Sequence, residues 1–143
     1  MVTRNILLVE DRPQDVRLTL RALKKAGFGD VIVTVAEHGK KALDILQKRT
    51  PHEKAVLPDL ILLDWMMPLV NGEEVLREVR LDPVLRRIPV IVLTTSRSDL
   101  DINTAADNGC NAYMTKPVSP DEFQERIRSF GNFWLENAEL PSP

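Results

Sequence analysis

The chain has 143 residues, enough for one ordinary domain with a full hydrophobic core and no need of metal or disulfide staples. Nineteen Lys+Arg against twenty-one Asp+Glu give a formal charge of -2, so nothing in the charge balance points to nucleic acid. The single cysteine, Cys110, excludes an internal disulfide and any multi-cysteine zinc site, and the longest apolar runs are far too short to span a membrane.

In chain order, short apolar runs alternate with longer amphipathic stretches. Ile6-Leu7-Leu8-Val9 is the first run, and Val16, Leu20 and Leu23 then recur at helical spacing until Gly27 supplies a stop. Residues 31–35 form the second run, followed by a helix marked by Ala42, Leu43, Ile45 and Leu46. Residues 50–58 hold two prolines and read as a loop. Leu60-Ile61-Leu62-Leu63 is the third run; Val75, Leu76 and Val79 mark a helix that starts after Asn71-Gly72 and ends before Pro83. Val90-Ile91-Val92-Leu93 is the fourth, and Ser98-Asp99-Leu100-Asp101 resembles a capping box opening a helix closed by Gly109. Ala112-Tyr113-Met114 is a weaker fifth, and Pro120 sits in the first turn of the last helix, where its missing N–H costs nothing.

Four of the five runs are continuous rather than alternating, as in strands covered on both faces. Five strands alternating with five helices predict an α/β fold with a doubly wound parallel sheet, and a flavodoxin-like (βα)5 order 2-1-3-4-5 fits the strand count. One domain over residues 1–143 is expected, with a core at about 5–130 and an aromatic tail at about 131–143. Ligands of such sheets bind at the carboxyl edge, at the switch point between strands 1 and 3.

The residues at the end of each run are therefore informative. Run one ends in Glu10-Asp11, run three in Asp64, run four in Thr94-Thr95 and run five in Thr115-Lys116-Pro117. Neighbouring strands lie roughly 4.8 Å apart, so three carboxylates would crowd at the switch point beside a lysine and two hydroxyls. Proton uptake or a divalent cation relieves such crowding. An all-oxygen site suits Mg²⁺, with Mn²⁺ as the alternative ion. Metal, ammonium, hydroxyl and backbone N–H groups suit a transferring phosphoryl group, with Asp64 as nucleophile. Each residue alone also has an ordinary explanation: an acidic pair or Asp64 as a helix or turn cap, Thr94 as a local hydroxyl donor, Lys116 as a solvated charge. Their joint placement is what carries weight.

These residues resemble the response-regulator receiver domains of two-component signalling, the CheY-like group. The resemblance is carried by Val9-Glu10-Asp11, by residues 62–68 (Leu-Leu-Asp-Trp-Met-Met-Pro) with Asn71-Gly72, by residues 88–95, and by residues 111–117. It implies that Asp64 is the phosphoacceptor for a sensor histidine kinase. It implies that Asp11, Asp64 and the Met66 backbone carbonyl bind Mg²⁺ directly, and Glu10 through water. Thr94 and Lys116 would contact the phosphoryl oxygens, and Tyr113 would be the switch aromatic on a face formed by helix 4, strand 5 and helix 5. The resemblance also suggests a cis bond between Lys116 and Pro117. Thr95 departs from the Ala or Gly common at its position, and its bulk is expected to hinder water and slow dephosphorylation. At finer grain, residues 9–15, the long second loop, Thr94-Thr95-Ser96 and Phe133-Trp134-Leu135 are similar to the single-domain regulators associated with bacterial and cyanobacterial phytochromes.

Phe123, Ile127, Phe130 and Trp134 form a helical stripe, and Phe130, Phe133 and Trp134 crowd the end of the chain. Much of that stripe is expected simply to pack on the sheet. The excess predicts a homodimer through the last helix and tail, by way of Phe130, Phe133 and Trp134. Gly131 is expected to end or bend this helix. Too little chain follows residue 117 for an output domain, so output is expected to run through a partner, or the chain is a phosphoryl relay station, in the cytoplasm, with no nucleic acid and no membrane. A Mg²⁺-dependent phosphatase or mutase with an Asp nucleophile is the enzyme alternative. Such enzymes place an acid two residues after the nucleophile, where this chain has Met66, so no turnover enzyme is expected beyond slow self-dephosphorylation. A nucleotide or flavin binder would need a glycine-rich phosphate loop after run one, and none is there. A phosphorylation-independent adaptor would have no use for the acid, lysine and threonine set. His38 and His52, with no cysteine nearby, make a poor zinc pair.

Overall fold

A computed structural model describes residues 4–142. Five strands, β1 (Asn5–Val9), β2 (Ile32–Ala36), β3 (Leu60–Leu63), β4 (Val90–Thr94) and β5 (Ala112–Thr115), form one parallel sheet in the order β2-β1-β3-β4-β5. Between and after them run α1 (Pro13–Lys25), α2 (Gly39–Leu46), α3 (Gly72–Leu81), α4 (Asp99–Asp107) and α5 (Pro120–Gly131). The expected fold class and strand order are those observed.

The unbroken apolar runs follow from the two helical layers. Leu7, Val9, Ile61, Leu63, Val90 and Val92 face α2, α3 and α4, whereas Ile6, Leu8, Leu60, Leu62, Ile91 and Leu93 face α1 and α5. Successive residues of a strand point to opposite faces, and here each face meets apolar helix residues. The second run is the exception. β2 has a sheet neighbour on one side only, and Ile32 and Thr34 are exposed, Ile32 by 53%. Its β-branched residues keep it extended at an edge that the helices cover only in part, through Val33, Val35 and Ala36.

The helix starts are set locally. Asn71 Oδ1 accepts from the Glu74 amide at 3.0 Å, Ser98 Oγ from Asp101 at 3.3 Å and Ser119 Oγ from Glu122 at 3.4 Å. α1 lacks a side-chain cap and opens instead on Pro13. Gly27 and Gly109, at φ +95° and +91°, lie just past α1 and α4, as the expected stops.

Two expectations need correction. The Lys116–Pro117 bond is trans; among the described residues only Thr50–Pro51 is cis. The lysine is aimed by the sheet instead, because the Lys116 amide donates to the Thr94 carbonyl at 2.7 Å and extends the β4–β5 pairing to the site. Phe130 is 3% exposed and sits in the core with Ile127 and Phe123, so it offers no surface to a partner; Phe133 is exposed and meets the half-buried Trp134 edge to face, with ring centroids 5.1 Å apart. Gly131 is the last residue of the α-helical part, as expected, and the chain continues as a π-helical segment over Asn132–Asn137. Its role is clearance: a Cβ there would lie 2.1 Å from Phe28 Cε2.

Candidate functional site

Backbone hydrogen bonds carry the sheet's register one step beyond its strands and thereby place the polar residues. The Glu10 amide donates to the Ala36 carbonyl and the Asp64 amide to Val9, each at 3.0 Å. Carboxylate oxygens of Glu10, Asp11 and Asp64 consequently lie within 4.8 Å of one another. Close approach of α3 completes the floor, since a Cβ on Gly72 would stand 2.6 Å from the Asp64 carbonyl oxygen. The acids that follow β1 and β3 come together, and Lys116 after β5 reaches Glu10 and Asp64.

The charges are strongly coupled. Glu10 is 3% exposed and Asp64 6%, and the Lys116 side chain is 8% exposed. Lys116 Nζ pairs closely with Glu10 Oε2, lies 3.3 Å from Asp15 Oδ2 and 3.8 Å from Asp64 Oδ2. Burial raises the Glu10 carboxyl to about 7, helped by the Asp64 charge and opposed by the hydrogen bond from Lys116. Burial alone would pull Lys116 down, but Asp64, Glu10 and Asp15 together outweigh it and hold the ammonium above its ordinary value. Three converging acids thus keep the lysine charged.

Two buried polar atoms at the ends of the strands that flank β3 lack hydrogen-bond partners: Asp11 Oδ1, just past β1, and Thr94 Oγ1, at the end of β4. Buried polar groups normally find partners. An all-carboxylate donor set with an oxygen left over on Asp11 fits a hard divalent cation. A hydroxyl left over on Thr94, which is fully buried, fits an acceptor brought in by a ligand. Asp64 Oδ1 accepts from the Met66 amide at 3.3 Å, which turns the loop after β3 over the carboxylate, and the Met66 side chain is exposed. Thr95 is exposed and, with Lys116, Arg12 and Asp15, lines a cavity of about 190 Å³ beside the acids.

Tyr113 makes its hydrogen bond outside the acidic cluster. Its half-buried hydroxyl donates to the Ser96 carbonyl at 2.9 Å, burial pushes the phenol up, and Ser96 Oγ in turn donates to Asp101 Oδ2 at 2.5 Å. The ring therefore ties β5 to the loop before α4.

Residues 6–128 match the family model for the response regulator receiver domain. The chain belongs to that family. Among curated relatives, this receiver domain is 36% identical to the response regulator Rcp1 of Synechocystis, over 96% of this chain and 92% of that one. It is 38% identical to the probable methanogenesis regulatory protein FilR2 of Methanothrix harundinacea, over 96% and 88%. Among solved structures, the phosphorylated cyanobacterial phytochrome response regulator RcpA aligns at TM-score 0.94 and 38% identity, covering 99% of this chain and all of that one. The receiver domain is thus similar to phytochrome response regulators, and receiver domains take phosphoryl groups from histidine kinases and bind Mg²⁺. No helix among the described residues is long and apolar enough to cross a membrane.

Sequence reasoning missed three contributors. Asp15 reaches Lys116 from α1, Ser96 anchors Tyr113 through a main-chain carbonyl, and Arg126 donates from α5 to the Thr115 carbonyl and hydroxyl at 2.8 and 2.9 Å. Only Asp15 carried a signal, as an acid in the first turn of a helix that leaves an acidic strand end.

Proposed function

We propose that this receiver domain is a Mg²⁺-dependent phosphoacceptor whose Asp64 is esterified by a sensor histidine kinase, phytochrome-type kinases being the best-supported class given its relatives. One observation carries the reading: the buried oxygens of Asp11 and Thr94, from the ends of the two strands that flank β3, lack partners, and Lys116 Nζ lies 3.8 Å from Asp64 Oδ2. Asp11, Asp64 and the Met66 carbonyl would hold the ion, and Glu10 would reach it through water. When bound, Mg²⁺, or Mn²⁺ in its place, neutralises acidic charge and polarises the phosphoryl oxygens.

The rest falls to the chain. An Asp64 carboxylate oxygen attacks phosphorus in line, the P–N bond to the donor histidine breaks, and that nitrogen leaves with its electron pair. Lys116 and the Thr94 hydroxyl donate to the phosphoryl oxygens, compensating charge that would otherwise oppose attack between like-charged groups. Thr95 stands at the mouth of the cavity, where its side chain limits the approach of water. There is no acid two residues beyond Asp64 to activate a leaving group or a water, so turnover on a small substrate is not expected.

For signalling, Thr94 would turn toward the new oxygens and release the space into which Tyr113 moves, altering the α4–β5–α5 face. Shifting such a face from 1:99 to 99:1 takes about 5.5 kcal/mol of differential stabilisation. The tail beyond α5, with Phe133 exposed and Trp134 half-buried, is the surface we assign to a homodimer acting in the cytoplasm. Incubation with Mg²⁺ and acetyl phosphate, followed by intact mass measurement, tests the central claim. The wild type should gain one phosphoryl mass and Asp64→Asn none; equal labelling of both would refute it.

A further inference from the structure

Lys116 is held by one acid more than phosphoryl transfer calls for. Asp15 stands outside the three-carboxylate metal cluster, yet its Oδ2 accepts from the Lys116 ammonium at 3.3 Å. The backbone of Asp15 is fixed independently of the site, its amide donating to the Arg12 carbonyl at 3.0 Å and its carbonyl accepting from the Thr19 hydroxyl at 2.9 Å. An acid in a first helical turn ordinarily balances the helix dipole. This one instead bends over the cleft and shares an ammonium with Glu10 and Asp64.

We propose that Asp15 is a positioning residue for Lys116, holding the ammonium in the acidic notch in competition with Asp64 and so setting how readily it reaches an anionic oxygen carried there. The inference rests on the phosphoacceptor reading of Asp64. An ammonium has three donors, and the three nearby carboxylates can occupy all of them. A divalent cation would draw on Glu10 and Asp64, which leaves Asp15 as the acid that keeps its full hold on the lysine. Lys116 Nζ stands 3.8 Å from Asp64 Oδ2, beyond hydrogen-bond reach, and donates instead to Glu10 and Asp15. A donor engaged by Asp15 is one fewer for an anionic oxygen carried on Asp64.

Beryllofluoride, a phosphoryl mimic, serves as the probe in saturating Mg²⁺. Asp15→Asn should bind it about two- to fivefold more tightly, the range for a partly exposed ion pair, while affinity for Mg²⁺ alone stays within twofold. The ¹⁵N signal of the Lys116 ammonium should move in ligand-free Asp15→Asn, and Asp15→Glu should restore binding toward wild type. Asp121→Asn, which removes a first-turn acid from α5 with no bond to Lys116, should change neither reading. Unchanged or weaker beryllofluoride binding in Asp15→Asn, a stationary Lys116 signal, or an equal effect from Asp121→Asn would overturn the inference. If the wild type took up neither beryllofluoride nor a phosphoryl mass, the phosphoacceptor reading would fall first and this one with it.

Discussion

Thr94→Val separates stability from response. The Thr94 side chain is fully buried and its hydroxyl has no partner. An unsatisfied buried hydroxyl costs about 1–3 kcal/mol. Valine keeps the branched shape that suits a strand end and puts a methyl where the hydroxyl stood. The substitution should therefore stabilise the ligand-free protein by about 1 kcal/mol, which in a chain of this length raises Tm by roughly 3 °C. The response should move the other way. A hydrogen bond to a charged acceptor contributes about 1.5–3 kcal/mol, so losing it should weaken beryllofluoride binding at least about tenfold. Thermal unfolding followed by circular dichroism, with and without Mg²⁺ and beryllofluoride, reads both effects in one series. A Thr94→Val protein less stable than wild type without ligand would mean that the hydroxyl is satisfied in the fold. Equal beryllofluoride stabilisation of both proteins would remove Thr94 from the response.

Three further outcomes are expected. Asp11→Asn should weaken Mg²⁺ binding at least about tenfold by calorimetry, about 1.4 kcal/mol, yet stabilise the metal-free protein because one of three crowded charges is gone. Gly131→Ala should lower Tm despite a helix-propensity gain of about 1 kcal/mol, since the new Cβ collides with Phe28, and Phe28→Leu in the same chain should recover part of the loss; a Gly131→Ala protein as stable as wild type would refute the packing role of this glycine. Thr95→Ala should shorten the phosphoryl lifetime, measured as loss of the added mass with time, and a longer lifetime would contradict the shielding assigned to it.

How much of this was legible in the sequence depended on how local each cause is. Burial of both sheet faces writes itself into continuous apolar runs, so β1, β3 and β4 were readable, and with them the strand ends that place Glu10, Asp11, Asp64 and Thr94; Lys116 followed from the weaker run of β5. β2 reads the same way although Ile32 and Thr34 are exposed, because β-branched composition reports extended backbone and not coverage. The aromatic stripe of α5 gave the right periodicity but not its depth: whether Phe130 is core or surface depends on where α5 lies against the sheet. Gly131 looked like a helix breaker, while the residue that demands it, Phe28, lies more than a hundred positions away. The Lys116–Asp15 contact likewise joins residues with no shared local pattern.

The in-register alignment of β1, β3 and β4, with Leu8 beside Leu62 and Leu62 beside Ile91, makes the molecule tolerant of length change at one end only. Deleting a single residue inside any of these strands would swing the acid or hydroxyl at its tip onto the opposite face and break the constellation, however conservative the loss looked. Added residues between α2 and β3 enter the sheet from its far edge and leave that alignment alone. Tags, labels or whole inserted modules therefore belong in the segment around Thr50, where the chain can grow without the chemistry registering it.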